Sequence, residues 1–323
     1  MTPAQYALLQ CLDGSVRSGP QLGEDLGVSR AAVHKLIQQL RDLGLPINAT
    51  GNGYQLPGHW QLLDEQRIRQ HLSTAVRAQL SAIETHPQLA GTNSYLGAMS
   101  GENRHGRAVV AEWQSAGRGR RGRAWHSPPC GNIYCSLGWR FTSGIGALAL
   151  LSTQVAVAAA AAVKTVSGLP VQLKWPNDLY LQQRKLGGIL IELQATPDGP
   201  SDAIIGIGIN VHLPANAPID QPYTCLSEHL PDDQPQRMDR NILIAQLLNH
   251  LLPPLAQWQQ LDSHALLQQW TSFDLLRDRS IQVQNGQGVI SGAYLGIDAQ
   301  GGLRLRTNEG ERVFHSGEVS VRL

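Results

Sequence analysis

The chain has 323 residues, of which 42% are hydrophobic and 16% are charged, and its formal net charge is +1. This composition is too hydrophobic for a disordered protein, and the length leaves room for two or three folded domains. A net charge near zero excludes a general electrostatic attraction of the whole molecule to nucleic acid or to a membrane surface.

The first sixty residues predict a helix-turn-helix followed by a wing. Ser18 and Gln21 form the S-x-x-Q pattern of a helix N-terminus, and Gly27 supplies the left-handed residue that ends a helix. A second helix follows Ser29, with Val33, Leu36, Ile37 and Leu40 at the i, i+3, i+4, i+7 spacing. The segment NATGNGYQL then has the glycine and asparagine pattern of a hairpin.

A winged helix-turn-helix is typical of DNA binding, but a helical hairpin used for packing or dimerisation has the same spacing. Residues 1–60 contain four basic and four acidic side chains, so charge does not decide between these roles. Any DNA contact has to come from the start of the second helix and from the wing. The candidate DNA-binding residues are Ser29, Arg30, Ala31, His34, Lys35, Asn52 and Tyr54.

The segment AGRGRRGRAW, residues 116–125, contains four arginines and three glycines and matches G-x-G-x-x-G. It follows a predicted strand over 108–113, but Pro128 and Pro129 forbid the helix that a dinucleotide-binding turn must open. Arginine-rich RNA-binding tails are terminal or of low complexity, so that role is also rejected. Guanidinium groups on a flexible loop pair with phosphate or carboxylate oxygens. We therefore expect a clamp for a small anion, mobile when empty and ordered when the anion is bound.

The next long apolar segment, residues 144–163, has the length of a membrane span. Alanine dominates it, Ser152, Thr153 and Gln154 interrupt it, and no aromatic belt flanks it. Since alanine is the best helix former and packs closely, we predict a helix buried in an α/β domain and no contact with a membrane.

Later segments bring polar residues to the ends of buried strands. KWPND, residues 174–178, is a polar turn, and Lys185 begins the apolar strand KLGGILIEL. Gly206 and Gly208 lie in a third strand that ends at Asn210. Lys185 is compatible with two roles, a solvated residue at a strand edge or a cation that holds a carboxylate and a phosphate together.

From Leu276 onward, short predicted strands alternate with turns, which is typical of a small β-barrel. The turn signals are Asn285-Gly286, Gly301-Gly302 and Glu309-Gly310. The segment LPGHW near Pro57 is the expected linker after the winged helix. The expected domains are residues 1–60, 61–274 and 275–323.

Five segments follow the winged helix in this order: GTNSYL, AEWQSAGRGRRGRAW, KWPNDLYL, RKLGGILIEL and IGIGIN. With them the chain resembles the bifunctional biotin protein ligases, which are also biotin operon repressors, over nearly its whole length. The resemblance implies an α/β (α+β) multidomain protein with an N-terminal winged helix-turn-helix, a central class II synthetase-like mixed sheet with helices, and a C-terminal SH3-like barrel. One departure is Gly91, where the family usually has serine, so that a hydroxyl near the biotin ring is lost and its contact passes to water or backbone.

The resemblance also implies the chemistry. Biotin and ATP, with Mg²⁺, form biotinyl-5′-AMP, and biotin then passes to a lysine of a biotin carboxyl carrier protein. Lys185 bridges the biotin carboxylate and the α-phosphate, Arg118 belongs to the closing loop, and Asp178 steers the acceptor lysine; these three are the catalytic candidates. The biotin-binding candidates are Gly91, Thr92, Asn93, Gln114, Gly117, Arg118, Gly119, Arg120, Lys185, Gly188, Gly206 and Gly208. The ATP- and adenylate-binding candidates are Arg118, Arg120, Arg121, Trp125, Lys174, Asn177, Asp178, Lys185 and Asn210.

Three functions remain in competition: a ligase that is also a repressor, a ligase whose winged helix no longer binds an operator, and a biotin-sensing repressor without catalysis. Lys185, Asp178 and the complete arginine loop count against the third, and the sequence does not separate the first two. The expected partners are the carrier protein, operator DNA and, with adenylate bound, a second copy of the chain. The lack of a signal peptide and four cysteines without a C-x-x-C pair predict a cytoplasmic protein with free thiols and no metal bound by protein side chains.

Overall fold

The computed structural model describes residues 1–12, 14–57, 60–195, 199–213, 217–230, 239–285, 288–315 and 320–322. The helices are α1 (Pro3–Cys11), α2 (Gly19–Leu26), α3 (Arg30–Asp42), α4 (Glu65–Gln70), α5 (Thr74–Gln79), α6 (Thr92–Gly97), α7 (Gly101–Arg104), α8 (Leu151–Ser167), α9 (Arg240–Ala256) and α10 (Ser263–Phe273). The strands are β1 (Asn48–Thr50), β2 (Gly53–Gln55), β3 (Ala82–His86), β4 (Arg107–Ala111), β5 (Ile133–Phe141), β6 (Gln172–Lys174), β7 (Asp178–Leu181), β8 (Arg184–Ala195), β9 (Ser201–Ile209), β10 (Ser280–Asn285), β11 (Gly288–Ile297), β12 (Leu303–Thr307), β13 (Gly310–Phe314) and β14 (Ser320–Arg322). Short 3₁₀ turns lie at Arg120–Gly122, Ile145–Leu148, Leu226–Glu228 and Trp258–Gln260.

The N-terminal winged helix-turn-helix has the predicted start and stop signals. Ser18 and Gln21 form a reciprocal capping box at α2, and Gly27 ends this helix with φ 66°. Strands β1 and β2 form the wing as an antiparallel hairpin that turns at residues 51–52. Gly53 has φ 152°, and a side chain there would collide with the backbone of Arg17, so only glycine fits.

The central domain is a seven-stranded mixed sheet in the order β3-β4-β5-β9-β8-β7-β6. Strands β3 and β4 are parallel, and the other neighbours are antiparallel. Strand β8 lies between β9 and β7, so Lys185 is not at a sheet edge. Strand β4 ends at Ala111, two residues before the predicted end, because Glu112 turns into the protein interior.

The predicted apolar helix is α8, which packs against α9. The helical region Ile145–Ser167 is long and apolar enough to cross a membrane, and 67% of its most apolar window is buried inside the protein. It begins with a 3₁₀ turn, and α8 itself runs from Leu151 to Ser167, since Gly168 then adopts φ 72° and ends it. The small alanine side chains of α8 let the helix lie close to its neighbours.

The C-terminal domain is a five-stranded antiparallel sheet in the order β13-β12-β11-β10-β14. Turns lie at Gly301-Gly302 and Glu309-Gly310 as predicted. Gly286 of the third predicted turn, and Gly58 and His59 of the predicted linker, lie outside the described residues. The domain is joined to the central sheet by Leu275, whose backbone N–H donates to the carbonyl of Leu173 at 2.9 Å.

The winged helix and the central domain share a hydrophobic core. Cys130, from the segment after the arginine loop, is 2% exposed and packs in the same cluster as Leu8, Leu9 and Ile37 of the winged helix. Nearby, the ring of Trp60 stacks on His212 with 4.7 Å between the centroids. The first domain is therefore fixed against the second by apolar contacts.

Candidate active site

A pocket of about 260 Å³ lies at one end of the central sheet, beneath the arginine loop. Among the described residues that line it, six are cationic and only Asp178 is acidic, so the pocket attracts anions. The predicted residues in its wall are Gly91, Thr92, Asn93, Gln114, Arg118, Gly119, Arg120, Arg121, Trp125, Lys174, Asn177, Asp178, Lys185, Gly188, Gly206 and Gly208.

Two predicted site residues lie elsewhere. Gly117 borders a neighbouring cavity, and it is packed so closely against Ser127 and Trp125 that a side chain would not fit. Asn210 is 4% exposed and turns away from the pocket, because its amide donates to the carbonyl of Thr224 at 3.1 Å. Asn210 thus holds the segment that runs beside Lys185, whose backbone N–H and C=O bond to Pro222 and Thr224.

One end of the pocket is lined by neutral polar side chains that form a hydrogen-bond network. Gln114 Oε1 accepts from the backbone N–H of Thr92 at 2.9 Å. Ser136 Oγ lies 2.6 Å from both Thr92 Oγ1 and Asn93 Oδ1. This end, which we call the ring end, suits a neutral ligand that both donates and accepts hydrogen bonds.

Gly206 and Gly208 form the floor of the pocket, and the side chains of Asn93 and Trp125 lie directly against their backbone. A Cβ atom on Gly206 would collide with the amide of Asn93. A Cβ atom on Gly208 would come within 2.8 Å of the Trp125 ring. Both glycines are therefore needed for the approach of neighbouring side chains, as expected for glycine inside a strand.

The opposite end is cationic and partly shielded from water. Lys185 Nζ lies 2.8 Å from Asp178 Oδ1 and 5.6 Å from the centroid of the Trp125 ring, and its side chain is 15% exposed. Burial lowers the pKa of Lys174, an effect that Asp178 opposes and Lys185 reinforces. Burial also lowers the pKa of Arg120, whose Nη1 donates to Asn177 Oδ1 at 3.0 Å.

The arginine loop is a narrow hairpin. Arg118 and Ala124 form an antiparallel bridge, and Gly119 N donates to Arg123 O at 2.7 Å. Arg121 at the tip adopts the left-handed φ of 57°. The loop leads into extended backbone and not into a helix, which confirms the rejection of a dinucleotide-binding turn. Its mobility in the absence of an anion stays a prediction.

Arg118 reaches across the mouth of the pocket. Its Nη2 donates to Ser94 Oγ at 3.1 Å and lies 3.5 Å from Glu192 Oε1. Sequence reasoning did not identify Ser94, Ser136 or Glu192. Ser136 sits in an apolar strand without a motif, and the signal for Glu192 was a carboxylate in an otherwise apolar strand.

The predicted DNA-binding residues lie on the winged helix. Ser29, Arg30, Ala31, His34, Lys35 and Asn52 are exposed, and Tyr54 is half-buried. Ser29 also caps α3, since its Oγ accepts from Ala32 N at 3.2 Å. The N-terminal half of α3 and the wing therefore present polar and basic groups to solvent.

The chain resembles known proteins along almost its entire length. A model of the biotin/lipoate A/B protein ligase family matches residues 88–210, a helix-turn-helix domain model matches residues 5–55, and a model of the biotin protein ligase C-terminal domain matches residues 278–322. The bifunctional ligase/repressor BirA of Salmonella typhimurium is 40% identical over 313 residues, which cover 96% of this chain and 94% of the relative. The protein of the same name from Bacillus subtilis is 31% identical, and the match covers 94% of this chain and 93% of that relative.

A solved structure has the same fold. The biotin protein ligase from Aquifex aeolicus, in complex with biotin and ATP, superimposes with a TM-score of 0.61 at 25% identity and covers 75% of this chain and 99% of that one. With these matches and with the site described above, the protein belongs to the family of bifunctional biotin protein ligases and repressors.

Proposed function

We propose that the protein activates biotin with ATP to biotinyl-5′-AMP, transfers biotin to a lysine of a biotin carboxyl carrier protein, and represses transcription through its winged helix. The observation that carries the proposal is a single pocket that combines a neutral hydrogen-bonding end with an end where Arg120, Lys174 and Lys185 lie near Asp178. Biotin has the same division, because its ureido ring is neutral and its valerate chain ends in a carboxylate. The names of the relatives, bifunctional ligase/repressor, support both activities.

The ring end binds the ureido group. Thr92, Asn93 and Gln114 supply donors and acceptors, and Gly206 leaves room for the amide of Asn93 to lie on the floor of the pocket. At Gly91 the backbone is extended, and Ser94 Oγ is 3.4 Å from the position of a Cβ atom. Ser94 is therefore a neighbouring hydroxyl close to the position where the family usually has a serine.

At the cationic end, Lys185 lies between the two anions that have to react. A carboxylate oxygen of biotin attacks the α-phosphorus, the bond to pyrophosphate breaks, and an acyl-phosphate anhydride forms. Preorganised positive charge, in a site partly shielded from water, stabilises the transition state of this step. Arg120, held by Asn177, and Lys174 line the same region and neutralise the phosphates.

A magnesium ion bound with ATP would neutralise phosphate charge and would assist the departure of pyrophosphate. Among the described residues that line the pocket, Asp178 is the carboxylate that would contact such an ion, and it is already paired with Lys185. The donor set fits an ion that is held mainly by phosphate oxygens and water.

In the transfer step, the amine of the acceptor lysine attacks the acyl carbon, AMP leaves, and the amine loses a proton. We propose that Asp178, which lies in the pocket wall, orients that amine. Until then the loop, held by Arg118 and Arg120, covers the labile anhydride and keeps water from it.

For regulation, we propose that the adenylate orders the arginine loop and thereby allows two copies of the chain to associate. The two winged helices of a two-fold dimer bind a palindromic operator more tightly than a single winged helix does. The adenylate shifts this equilibrium only by its differential affinity for the dimer, about 1–3 kcal/mol. We also propose that the protein acts in the cytoplasm, without membrane contact. The proposed domains span residues 1–60, 61–274 and 275–323.

The test of the enzymatic proposal measures pyrophosphate release from ATP and labelling of a carrier domain, each with and without biotin. Biotin-dependent release and labelling are expected, and release without labelling would restrict the protein to adenylate formation. The test of regulation is sedimentation with and without a non-hydrolysable adenylate analogue, combined with electrophoretic mobility of DNA from its own upstream region. Equal dimer constants and no DNA complex would favour the alternative of a ligase without repression.

A further inference from the structure

Gly91 differs from Gly117, Gly206 and Gly208, because a side chain fits at its position in the pocket wall. Its backbone is extended, with φ −172°, a conformation that any residue adopts. A Cβ atom there would meet its nearest neighbour, Ser94 Oγ, at 3.4 Å, which is an ordinary van der Waals distance. At the other three glycines a Cβ atom would collide with neighbouring atoms. The fold therefore does not require glycine at position 91, and this glycine leaves a small recess in the wall.

Three oxygen atoms lie around this recess. They are Ser94 Oγ, 3.4 Å from the position of the Cβ atom, and the carbonyl of Ala116 and Oε1 of Gln114, each 3.7 Å from it. All three residues line the pocket. A carbonyl and an amide oxygen only accept hydrogen bonds, whereas a hydroxyl also donates. Of these three atoms, Ser94 Oγ is therefore the one that can bind an acceptor of the ligand.

The hydroxyl of Ser94 is engaged on one side only. Its Oγ accepts a hydrogen bond from Arg118 Nη2 at 3.1 Å. A hydroxyl has one hydrogen and two lone pairs, so this contact leaves the hydrogen for another partner. No hydrogen bond within the described part of the chain uses that hydrogen, and the side chain is exposed at the pocket. Ser94 can thus bind a ligand and Arg118 at the same time.

The backbone that carries Ser94 is held on the sheet by the residues that follow it in α6. The hydroxyl of Tyr95 donates to Glu84 Oε2 at 2.8 Å. Leu96 is 0% exposed and packs in one cluster with Val109. Because these contacts fix the helix before a ligand arrives, the hydroxyl of Ser94 is presented to the pocket at little cost in backbone ordering.

We propose that Ser94 is a ligand-binding residue that supplies the hydroxyl lacking at Gly91: it donates to the ureido carbonyl oxygen of biotin while its oxygen accepts from Arg118. Positions 91 and 94 are the N-cap and the third residue of α6, and residues three apart are neighbours at the surface of a helix. The hydroxyl that the family usually carries at position 91 is thus provided here from position 94. This inference rests on the proposed function, because it takes biotin as the ligand.

The experiment measures the dissociation constant of biotin for the full-length protein by calorimetry. Ser94→Ala should weaken binding about two- to ten-fold, the range for one net hydrogen bond. Gly91→Ser, added to Ser94→Ala, should restore the affinity, because its hydroxyl starts from a Cβ atom 3.4 Å from the lost oxygen. The matched control is Ser100→Ala, since Ser100 is exposed, makes no side-chain cap bond to α7 and lies outside the pocket wall. The control should bind biotin like wild type.

A second comparison separates ligand binding from the loop contact, since Ser94→Ala also removes the acceptor of Arg118. The factor lost through Ser94→Ala should be the same in the wild-type and in the Arg118→Gly background, as for two groups that act independently. A loss that disappears in the Arg118→Gly background would show that Ser94 acts only through the loop, and would overturn the inference. Unchanged binding in Ser94→Ala, or no recovery with Gly91→Ser, would also overturn it. Failure of the wild-type protein to bind biotin at all would instead contradict the proposed function.

Discussion

Glu112 and Arg240 form an ion pair, 2.7 Å between Oε2 and Nη1, in which the side chains are 1% and 3% exposed. Glu112 also accepts from the backbone N–H of Leu63, and Arg240 donates to the carbonyl of Gln61 at 2.7 Å. The pair therefore holds the segment that leaves the winged helix. Because Glu112 precedes Gln114 by two residues, the same strand end serves the ligand pocket.

Arg240→Met should lower the free energy of unfolding by about 3–5 kcal/mol, because it leaves a buried carboxylate without its partner. Glu112→Leu combined with Arg240→Met should recover part of that loss, since the unpaired charge is then removed as well. Urea unfolding measures both variants. Arg304→Met, which breaks an exposed pair, is the control and should leave the stability close to that of wild type.

Lys185→Met should reduce biotin-dependent pyrophosphate release by about 10²–10³-fold, the usual loss when one group that stabilises developing charge is removed. Lys164→Met removes an exposed lysine from α8 and should leave the release unchanged. Wild-type release by the Lys185 variant, with the fold verified by circular dichroism, would rule out a catalytic role for this lysine.

Arg118 and Arg120 anchor the loop to different residues, Arg118 to Ser94 and Glu192 and Arg120 to Asn177. Arg118→Gly removes an exposed pair worth about 0–1 kcal/mol, so the adenylate should leave up to about five-fold faster. Arg120→Gly removes a half-buried, charge-assisted bond worth about 1.5–3 kcal/mol, so the adenylate should leave about 10–160-fold faster. Labelling of a bystander protein, per adenylate formed, measures the leak. Equal labelling by wild type and both variants would show that neither arginine retains the adenylate.

Lys35→Ala should weaken DNA binding to a similar extent on every sequence, because we expect this exposed lysine of α3 to contact phosphates, and phosphate contacts carry no sequence information. The slope of log affinity against log salt concentration should fall by about 1 for each phosphate that the variant no longer neutralises. Titrations at several salt concentrations measure this slope, with Lys164→Ala as the control. An unchanged slope would remove Lys35 from the DNA interface.

Glu84 on β3 contributes a pH-dependent term to stability. Burial disfavours its ionised form, but hydrogen bonds from Tyr95, Arg107 and His86 outweigh burial, and the pKa of Glu84 lies below 4.5. A depressed carboxyl pKa gives stability that is present above the unfolded pKa and lost as the pH falls through the folded one. Glu84→Gln should therefore be less stable than wild type at neutral pH, with a difference that shrinks below pH 4.5. A difference that stays constant into the acid range would contradict this origin.

Local signals in the sequence predicted the local structure well. The capping box at Ser18 and the end of α2 at Gly27 depend on residues within one turn, and both are confirmed. The absence of a helix after the arginine loop followed from Pro128 and Pro129 in the same way. These features need no knowledge of distant parts of the chain.

The hydrogen-bond network of the ring end could not be predicted, because its members are far apart in the chain. Ser136 meets Thr92 across 44 positions, and Glu192 meets Asn93 across 99. Asn210 was predicted to line the pocket because it follows a strand end. Its side chain instead bonds to the carbonyl of Thr224 in a later segment, and residues next to Asn210 in the chain do not reveal this contact.

The position of Cys130 in the core of the winged helix affects any attempt to separate or exchange the domains. Burial raises the pKa of its thiol well above the usual value, so the intact protein should resist alkylation there. Removing the first sixty residues would uncover this thiol together with the apolar surface around it. A winged helix grafted onto another enzyme would in turn lack one of its own core side chains. A chimera built at this junction therefore has to carry Cys130 and its flanking segment with the DNA-binding part.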